Sequence, residues 1–377
     1  MRFRFSDEQE MLRETVRTFA ARELTPAYLR GIDTSETAPH RDLLRRMASL
    51  GFTAMPVPPE YGGLGGGTVS AALVLEELGR ASMMAASTLD SAIGFGFEVV
   101  KHLGSTAQRR DLFEPLVRGE MCFAFSPAQS DPDANAPASV TRATVDGDGF
   151  VIEGAALLTP GAGQARCLIV AAYEDASLRL FAVDPRTAGI RMRKIETLGM
   201  RAAGGLYEVD YERVRVPPGA LVGSGDRAAT ALEAAFERAR MLRAAWCIGC
   251  AQQAVDDAVR YAGEREQFGQ VIGKFQAISH LLVDLQVDVE AARCLTYRAA
   301  WAVDGDLPRA GFASMADIAA TEALLRTTSE AMRVYGGYGL TMEFDIQRHF
   351  RDARSLVGIG GGARTQRDGV ARAMGFA

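Results

Sequence analysis

The hydrophobic period of this chain changes twice, and this constrains its fold more than any other feature. In the first third, apolar residues recur every three or four positions, which is the period of an amphipathic helix. In the middle, short β-rich stretches are separated by turns, and afterwards the helical period returns. The pattern predicts an α+β multidomain fold with an N-terminal helical domain (1–117), a middle β-barrel-like domain (118–222) and a C-terminal four-helix bundle (223–377).

Local signals mark the ends of these elements. Ser6 and Gln9 have the spacing of a capping box at the start of the first helix. The stretch 144–154 contains two Asp-Gly pairs and predicts a β-hairpin, while Pro217 and Pro218 are expected to end the sheet. The C-terminal helices are predicted at 227–263, 275–303, 311–336 and 345–352, with a last one after Arg364.

Composition and charge narrow the classes of partner. The net charge of -5 gives no basic face, so we expect no nucleic-acid partner. The chain lacks an apolar run of about 18 residues, so we expect no membrane span, and its N-terminus is typical of a capped helix rather than a signal peptide. The five scattered cysteines favour reduced thiols and a cytoplasmic setting. Cys247 and Cys250 have the spacing of a redox or metal pair, but they lie in a helical pattern, and we interpret them as small core residues.

Familiar catalytic motifs are missing from the sequence. The four histidines do not have metal-ligand spacing, so no metal site is predicted. A nucleophile elbow and a Walker loop are also lacking. The glycine-rich stretch 358–363 resembles a dinucleotide-binding loop. However, it follows a helix and lies outside any βαβ unit, so we reject a Rossmann interpretation.

Three polar stretches remain as candidate sites. The REQFG stretch at 265–269 places a guanidinium ahead of a helix, where it could hold a phosphate by two parallel hydrogen bonds, or it is a solvated loop. The GGYG stretch at 336–339 permits close backbone approach to a ligand, or it caps a helix. The charged stretch 348–354 is expected to be mostly occupied by internal salt bridges.

Six motifs, taken in order, resemble the acyl-CoA dehydrogenase family, and the resemblance covers nearly the whole chain. It implies an FAD flavoprotein, usually a tetramer, that oxidises an acyl-CoA thioester and passes electrons to an acceptor such as an electron-transfer flavoprotein. In that reaction a carboxylate removes the α-proton while a hydride leaves the β-carbon for the flavin. The motifs are PEYGG at 59–63, LGMR at 198–201, REQFG at 265–269, IGKFQ at 272–276, GGYG at 336–339 and QRHFRDAR at 347–354.

The resemblance also assigns cofactor-binding residues. In the family, the positions of Arg265, Phe268 and Gln276 reach the pyrophosphate and adenosine of an FAD that belongs to a neighbouring subunit. In the family, a Thr-Glu-Pro loop and a Trp-Ile-Thr segment hold the ring of a subunit's own flavin. The remaining candidates implied in this way are Gly336, Gly337, Ser130 and Thr159.

The chain departs from the family where the base is expected. Family members often carry a catalytic Glu seven residues after the Arg-Asp-Ala motif, and that position is Gly360. Others carry it in an earlier helix, at the position of Ala239. Glu237 is the nearest carboxylate, but two residues turn a helix by about 200°, so it is expected to face the other way. No catalytic residue is therefore predicted.

The flavin-ring side departs as well. The covering Trp of the family corresponds to Leu158, and the flavin-facing Thr corresponds to Pro160 or is displaced by one residue to Thr159. The Thr-Glu-Pro loop falls within 126–135, where either Ser126 or Ser130 could begin it. The chain thus keeps the motif that serves a neighbour's FAD and loses the residues that serve its own.

This pattern favours the base-lacking subunit of a heteromeric acyl-CoA dehydrogenase. A heterotetramer with a related subunit is implied by analogy with enzymes of lipid or steroid metabolism that act on bulky side-chain CoA thioesters. Two alternatives stay open. One is a self-sufficient flavoenzyme with an unusual base in specialised metabolism, and the other is a non-catalytic binding subunit without flavin.

Overall fold

The computed structural model describes residues 4–33, 40–128, 140–307, 311–356 and 362–376. Within them the predicted order of helices, sheet and helices is confirmed. Ser6 accepts a hydrogen bond from the Gln9 amide at 3.2 Å and donates its own amide to the Gln9 side chain at 3.0 Å, so the capping box is present. The N-terminal helices are α1 (Asp7–Glu23), α2 (Pro26–Asp33), α3 (His40–Ala48), α4 (Thr68–Ala81), α5 (Met83–Ile93), α6 (Phe95–Leu103) and α7 (Thr106–Val117).

The middle of the chain forms one sheet. The hairpin predicted at 144–154 is confirmed, since its first two strands are antiparallel and turn at Gly147 with a φ of 64°. The strands are β1 (Phe123–Ser126), β2 (Arg142–Asp146), β3 (Gly149–Pro160), β4 (Cys167–Glu174), β5 (Ser177–Val183), β6 (Ile190–Ile195), β7 (Leu206–Val216) and β8 (Leu221–Ser224).

The sheet is open in the described residues, so the barrel-like arrangement is not found. Its strands follow the order β6-β7-β3-β2-β4-β5-β8, and β1 pairs in parallel with β4. Closing it would require β6 and β8 to meet. Instead β8 lies against α6, and a Cβ at Gly223 would stand 2.7 Å from the Leu103 side chain. A helix therefore lies against this edge of the sheet.

The prediction that the two prolines end the sheet is wrong. Pro217 leaves β7, and a short turn at Pro218–Ala220 returns the chain to pair β8 with β5. A proline interrupts a ladder because it has no amide donor, but it does not prevent a new strand from starting after a turn.

The described part of the C-terminal region is helical, and three of its helices are long. Its helices are α8 (Gly225–Glu264), α9 (Gln276–Asp304), α10 (Phe312–Tyr335), α11 (Ile346–Ser355) and α12 (Gly362–Ala373). The short strands β9 (Glu266–Gln267) and β10 (Gln270–Val271) form a hairpin between α8 and α9. α9 packs against both α8 and α10. The short α12 packs on α10, where Ser314 donates to Gln366 at 3.3 Å.

α8 also packs closely against α4. A Cβ at Gly79 would stand 2.4 Å from the Trp246 carbonyl oxygen, and one at Gly249 would stand 2.0 Å from the Glu76 carbonyl oxygen. The two helix backbones therefore touch through glycines. One apolar core runs from α1 through α4 and α8 to α10 and α11, so the N- and C-terminal helical regions share a core.

A carboxylate from the C-terminal region caps a helix of the N-terminal region. Asp304, at the end of α9, accepts hydrogen bonds from the Thr68 amide at 2.6 Å and the Val69 amide at 2.9 Å. These amides begin α4 and have no partner within the helix. Gly67 leaves the necessary space, since a Cβ there would stand 2.5 Å from an Asp304 oxygen.

Candidate functional site

The β9–β10 hairpin at the end of α8 presents an aromatic side chain to solvent. Phe268 is 93% exposed and adopts a φ of 53°, followed by Gly269 at 82°. A left-handed turn suits glycine but is uncommon for a bulky residue. Arg265 fixes the base of the hairpin, because its amide donates to Tyr261 and its carbonyl accepts from Ile272, both at 2.8 Å. The fold thus holds an exposed aromatic residue at a defined place.

The hairpin gathers several predicted cofactor residues at one end of the molecule. The Arg265 guanidinium lies over the Tyr338 ring at 5.6 Å. The Phe268 ring meets the edge of Phe275 at 6.2 Å, directly before Gln276 begins α9. We call this group the hairpin cluster; it consists of Arg265, Phe268, Phe275, Gln276 and Tyr338 with Gly336 and Gly337.

The two glycines of this cluster end α10. Gly336 has a φ of 58°, and its amide donates to Arg333, so it fulfils the helix-capping role. A Cβ at Gly336 or Gly337 would meet no other atom within 4 Å. The backbone is therefore open at the surface, and its approach to a ligand stays a prediction.

The predicted flavin-ring residues of β3 alternate between two faces. Leu158 is 52% exposed and Pro160 is also exposed, whereas Thr159 is fully buried. The Thr159 hydroxyl oxygen is enclosed and has no hydrogen-bond partner among the described residues. Thr159 thus points away from the face that Leu158 and Pro160 share.

The end of β1 lies beside α8. Ser126 is buried and accepts a hydrogen bond from the Tyr211 hydroxyl at 2.7 Å, while burial raises the pKa of Tyr211. The Phe125 ring contacts Phe95 at 4.3 Å and Phe236 of α8 at 5.6 Å. The first part of the 126–135 stretch therefore starts next to α8, and Ser130 lies outside the described residues.

Neither base position of the family carries a carboxylate in this sequence. Gly360 lies outside the described residues. Ala239 is half-buried on α8, between Arg238 and Arg240 and three residues after Phe236. The helix that could present a base therefore carries a methyl group at this position, and arginines occupy the two neighbouring positions in the sequence.

A buried group of charges surrounds this part of α8, and sequence reasoning missed it. Arg243 donates to Asp317 of α10 at 2.8 Å. Arg238 donates to the Ile93 carbonyl at 3.2 Å, and its Nε lies 3.4 Å from Glu98 of α6. We call Asp90, Glu98, Arg238, Arg243 and Asp317 the charged cluster. The available signal was a charged residue inside an otherwise apolar helix, as at Asp90 and Arg243.

The two acids nearest Arg238 titrate in opposite directions. Burial raises the pKa of Asp90 to about 7, although Arg238 and Arg243 lie close enough to offset part of the effect. Burial also disfavours the charged form of Glu98, but His102, Arg238 and Lys101 outweigh it and lower its pKa to about 2. Near neutral pH Glu98 is thus ionised, whereas Asp90 is partly protonated.

The remaining candidate residues have structural roles. Cys247 and Cys250 are fully buried and burial raises the pKa of both thiols, so their interpretation as core residues is confirmed. His349 of α11 lies 3.7 Å from Asp257, and Arg351 pairs with Asp33, so internal ion pairs occupy much of the charged stretch. Asp352 accepts from the Met200 amide at 2.5 Å and ties the 198–201 motif to α11.

The described ranges contain neither a cluster of metal-ligating side chains nor a helix suited to a membrane. No group of three or more His, Cys, Asp or Glu side chains is arranged to hold a metal ion. No helix in these ranges is both long and apolar enough to cross a bilayer.

The order of helices, sheet and helices is the one that the resemblance to a flavin-dependent oxidoreductase family implies. Residues 6–120 match the family model of the acyl-CoA dehydrogenase N-terminal domain, and residues 228–375 match that of the acyl-CoA dehydrogenase C-terminal domain. The chain therefore belongs to the acyl-CoA dehydrogenase family, whose members are FAD flavoproteins that oxidise or reduce acyl-CoA thioesters.

Individual relatives match over nearly their full length. The chain is 31% identical to the probable acyl-CoA dehydrogenase YngJ of Bacillus subtilis, over 99% of this chain and 100% of that protein. It is 29% identical to CarC, a subunit of the caffeyl-CoA reductase-Etf complex of Acetobacterium woodii, over 96% and 97%. The structure of butyryl-CoA dehydrogenase from Megasphaera elsdenii superposes with a TM-score of 0.92 at 28% identity, covering 99% of this chain and 100% of that one.

Proposed function

We propose that this chain is the base-lacking subunit of a heteromeric, FAD-dependent acyl-CoA dehydrogenase. Removal of the weakly acidic α-proton needs a base within about 3 Å. Gly360 and Ala239 supply none. A related subunit that keeps the catalytic Glu supplies it instead. FAD, when bound, accepts the hydride that leaves the β-carbon.

The missing carboxylates at these two positions carry this proposal, and the separation of two sites along α8 supports a flavin shared between subunits. The 26 positions from Ala239 to Arg265 correspond to about 39 Å, at about 1.5 Å per residue. An extended FAD molecule is much shorter than that. The hairpin cluster of one chain is therefore too far from its own acyl site to hold the same flavin, which favours a role for it at a neighbouring subunit's FAD.

The hairpin cluster fits the pyrophosphate and adenosine half of FAD. Arg265 offers a planar donor group for phosphate oxygens, and the lack of side chains at Gly336 and Gly337 permits close approach of a ligand to the backbone. Phe268 offers an exposed ring for stacking, and Gln276 offers amide hydrogen bonds. The ring half fits less well, since Leu158 and Pro160 have no hydroxyl and Thr159 faces inward.

The remaining parts of the proposal concern setting and partners. The assembly is a heterotetramer in the cytoplasm, and its electron acceptor is an electron-transfer flavoprotein, as the name of the relative CarC suggests. The exposed Leu158, at the position of a family Trp, leaves room for a bulky acyl group such as a steroid side chain.

Purification with and without the related subunit tests this function. We expect the pair to hold FAD and to oxidise acyl-CoA, while the lone chain does neither at a stoichiometric level. FAD absorbance per chain and thioester oxidation are the measurements. A lone chain that is fully loaded with FAD and active would overturn the heteromeric role and favour the self-sufficient enzyme. Absence of flavin from every assembly would favour the binding subunit.

Restoring the base gives a second test. We expect Gly360→Glu to oxidise acyl-CoA without the related subunit's Glu. The substitution places a carboxylate at the position where family members often carry the catalytic base. The control is Gly360→Gln, which adds similar volume without a base. Equal activity in the two variants would contradict the interpretation.

A further inference from the structure

We propose that two copies of this chain pair through the exposed face of α9, with the two helices antiparallel and related by a two-fold axis at Ala291. The proposal goes beyond the heteromeric function, because it assigns a contact between identical chains. It holds whichever subunit supplies the base.

One face of α9 is exposed along most of the helix and is largely apolar. Its exposed residues are spaced alternately by three and four positions, so they lie along one side of the helix. We call this face the α9 stripe; it consists of Asp284, Val287, Ala291, Cys294, Arg298 and Trp301. Val287 is 61% exposed and Trp301 is 53% exposed. This spacing is the one by which two helices pack side by side.

The stripe is a second apolar side of α9. The helix already buries Leu285 and Val289 in the core that it shares with α8 and α10. A helix that packs on a core with one side is normally polar on the other. The apolar residues of the stripe therefore indicate that another protein surface covers it.

The charged residues beside the stripe already have partners within the chain. Asp288 pairs with Arg326 of α10. Glu290 pairs with Arg293, one helical turn further along α9. These ion pairs neutralise the borders of the stripe and leave its apolar residues uncovered.

The two charged residues of the stripe are placed symmetrically. Asp284 lies seven positions before Ala291, and Arg298 lies seven positions after it. Neither forms an ion pair in the described ranges, where the Arg298 guanidinium lies over the Phe312 ring at 4.2 Å. When two antiparallel helices cross at Ala291, residues equally distant from it meet. Asp284 of each copy then faces Arg298 of the other, which gives two ion pairs.

The same charges disfavour the parallel orientation. In a parallel pair of the same register, Asp284 would face Asp284 and Arg298 would face Arg298, so both contacts would be repulsive. The antiparallel pair also overlaps the helices almost fully, because Ala291 is the sixteenth of the 29 residues of α9. Charge and position along the helix therefore favour a second copy of this chain as the occupant of the stripe.

Charge reversal tests the pairing in the full-length chain. Asp284→Arg and Arg298→Asp should each raise the dissociation constant of the dimer about tenfold or more, because two attractive contacts become repulsive. The double variant Asp284→Arg/Arg298→Asp should return to within about threefold of the wild type. Analytical ultracentrifugation over a range of protein concentrations gives the constants, and circular dichroism checks that each variant folds.

A mixture of the two single variants separates pairing from an effect within one chain. The two positions are about 21 Å apart along α9, so they cannot compensate each other in the same chain. In the mixed dimer, each contact joins an arginine of one variant to an aspartate of the other. The mixture should therefore form dimers as tightly as the wild type does, although each variant alone does not.

Cross-linking locates the axis. In a Cys294→Ser background, Ala291→Cys places the two new thiols next to each other, and mild oxidation should join the chains by a disulfide. Ala277→Cys is the matched control, since Ala277 is also exposed on α9. Its two thiols would lie about 42 Å apart in the antiparallel pair but side by side in a parallel one. Non-reducing electrophoresis measures both.

The results also separate this pairing from the proposed function. A lone chain that stays monomeric at every concentration overturns the pairing, whether or not the related subunit covers α9. Equal dissociation constants for the single and double variants would overturn it too, as would equal cross-linking of Ala291→Cys and Ala277→Cys. FAD content and acyl-CoA oxidation of the co-purified assembly are measured independently, so the proposed function can stand where the pairing fails.

Discussion

At the scale of single residues, His40 is a neutral imidazole held inside the protein. Its Nε2 lies 2.6 Å from the Ala202 carbonyl oxygen and its Nδ1 lies 2.8 Å from the Thr88 hydroxyl. Burial lowers the pKa of His40 to about 4. His40 therefore joins α3 to Thr88 of α5 and to the segment that follows the LGMR motif. Protonation of its ring affects all three parts of the chain.

The pH dependence of stability should reveal this residue. The folded-state pKa lies below the unfolded value of about 6.5. The contribution of His40 is therefore complete above pH 6.5 and is lost as the pH falls through 4; the difference corresponds to about 3 kcal/mol. We expect the thermal midpoint of the wild type to fall more steeply between pH 6.5 and 4 than that of His40→Gln. Parallel curves, measured by circular dichroism, would contradict this.

Sequence reasoning succeeded for residues whose partners are close in the chain. The Ser6–Gln9 capping box needed only a spacing of three. It failed to reveal the Arg243–Asp317 pair, because those residues lie 74 positions apart and meet only in the fold. The sequence also did not reveal which face of the sheet Thr159 occupies. A register irregularity between Ala156 and Thr159 changes how side chains alternate along β3.

At the scale of elements, the contact between α4 and α8 depends on glycine. The hydrophobic period predicted both helices, since each buries an apolar stripe. It did not predict that they would touch through Gly79 and Gly249, because close approach is a property of the pair. The open sheet was missed for a similar reason, since strand patterns do not reveal which edges pair.

Gly249→Ala should weaken the α4–α8 contact. The new methyl group would stand 2.0 Å from the Glu76 carbonyl oxygen, and backbone cannot yield as a side chain does. We expect a loss of about 3 kcal/mol or more and a thermal midpoint several degrees lower. Gly263→Ala, in the same helix, meets nothing within 4 Å and should leave the midpoint unchanged or slightly higher. Equal midpoints for the two variants would refute the close contact.

The Asp304 cap gives a second element-scale prediction. Asp304→Ala leaves the first two amides of α4 without their acceptor, so we expect a loss of about 1 kcal/mol. Asp304→Asn keeps one acceptor and should lose less. Urea denaturation midpoints measure both. An unchanged midpoint in Asp304→Ala would show that solvent replaces the cap without cost.

At the scale of the whole molecule, the hairpin cluster is a surface that is unfinished in a single chain. The motifs predicted the order in which the residues of the cluster occur along the chain. They did not predict that these residues would be exposed, because exposure depends on where the ends of α8, α9 and α10 meet. An exposed Phe268 in a left-handed turn is costly to maintain alone. This is consistent with a partner that covers it.

Substitutions in the hairpin should therefore act on the assembly. Arg265→Ala should lower FAD content of the purified assembly several-fold, because a phosphate partner is lost. Phe268→Ala should do the same and should also reduce the mass of the assembly in light scattering. Arg191→Ala, an exposed arginine of β6, is the control. Unchanged flavin content in Arg265→Ala would contradict the proposed role.

The length of α8 has a consequence for how active centres are shared. Ala239, the family's base position, is the fifteenth of its 40 residues, and the helix ends at a hairpin that, on the proposed function, serves another chain's flavin. Each active centre is then a composite of two chains. A hairpin variant of this chain should lower the activity of a centre whose base belongs to the related subunit, and replacing that variant with the wild-type chain should restore the activity. Such a loss would make one subunit's catalytic rate a report on the surface of its neighbour.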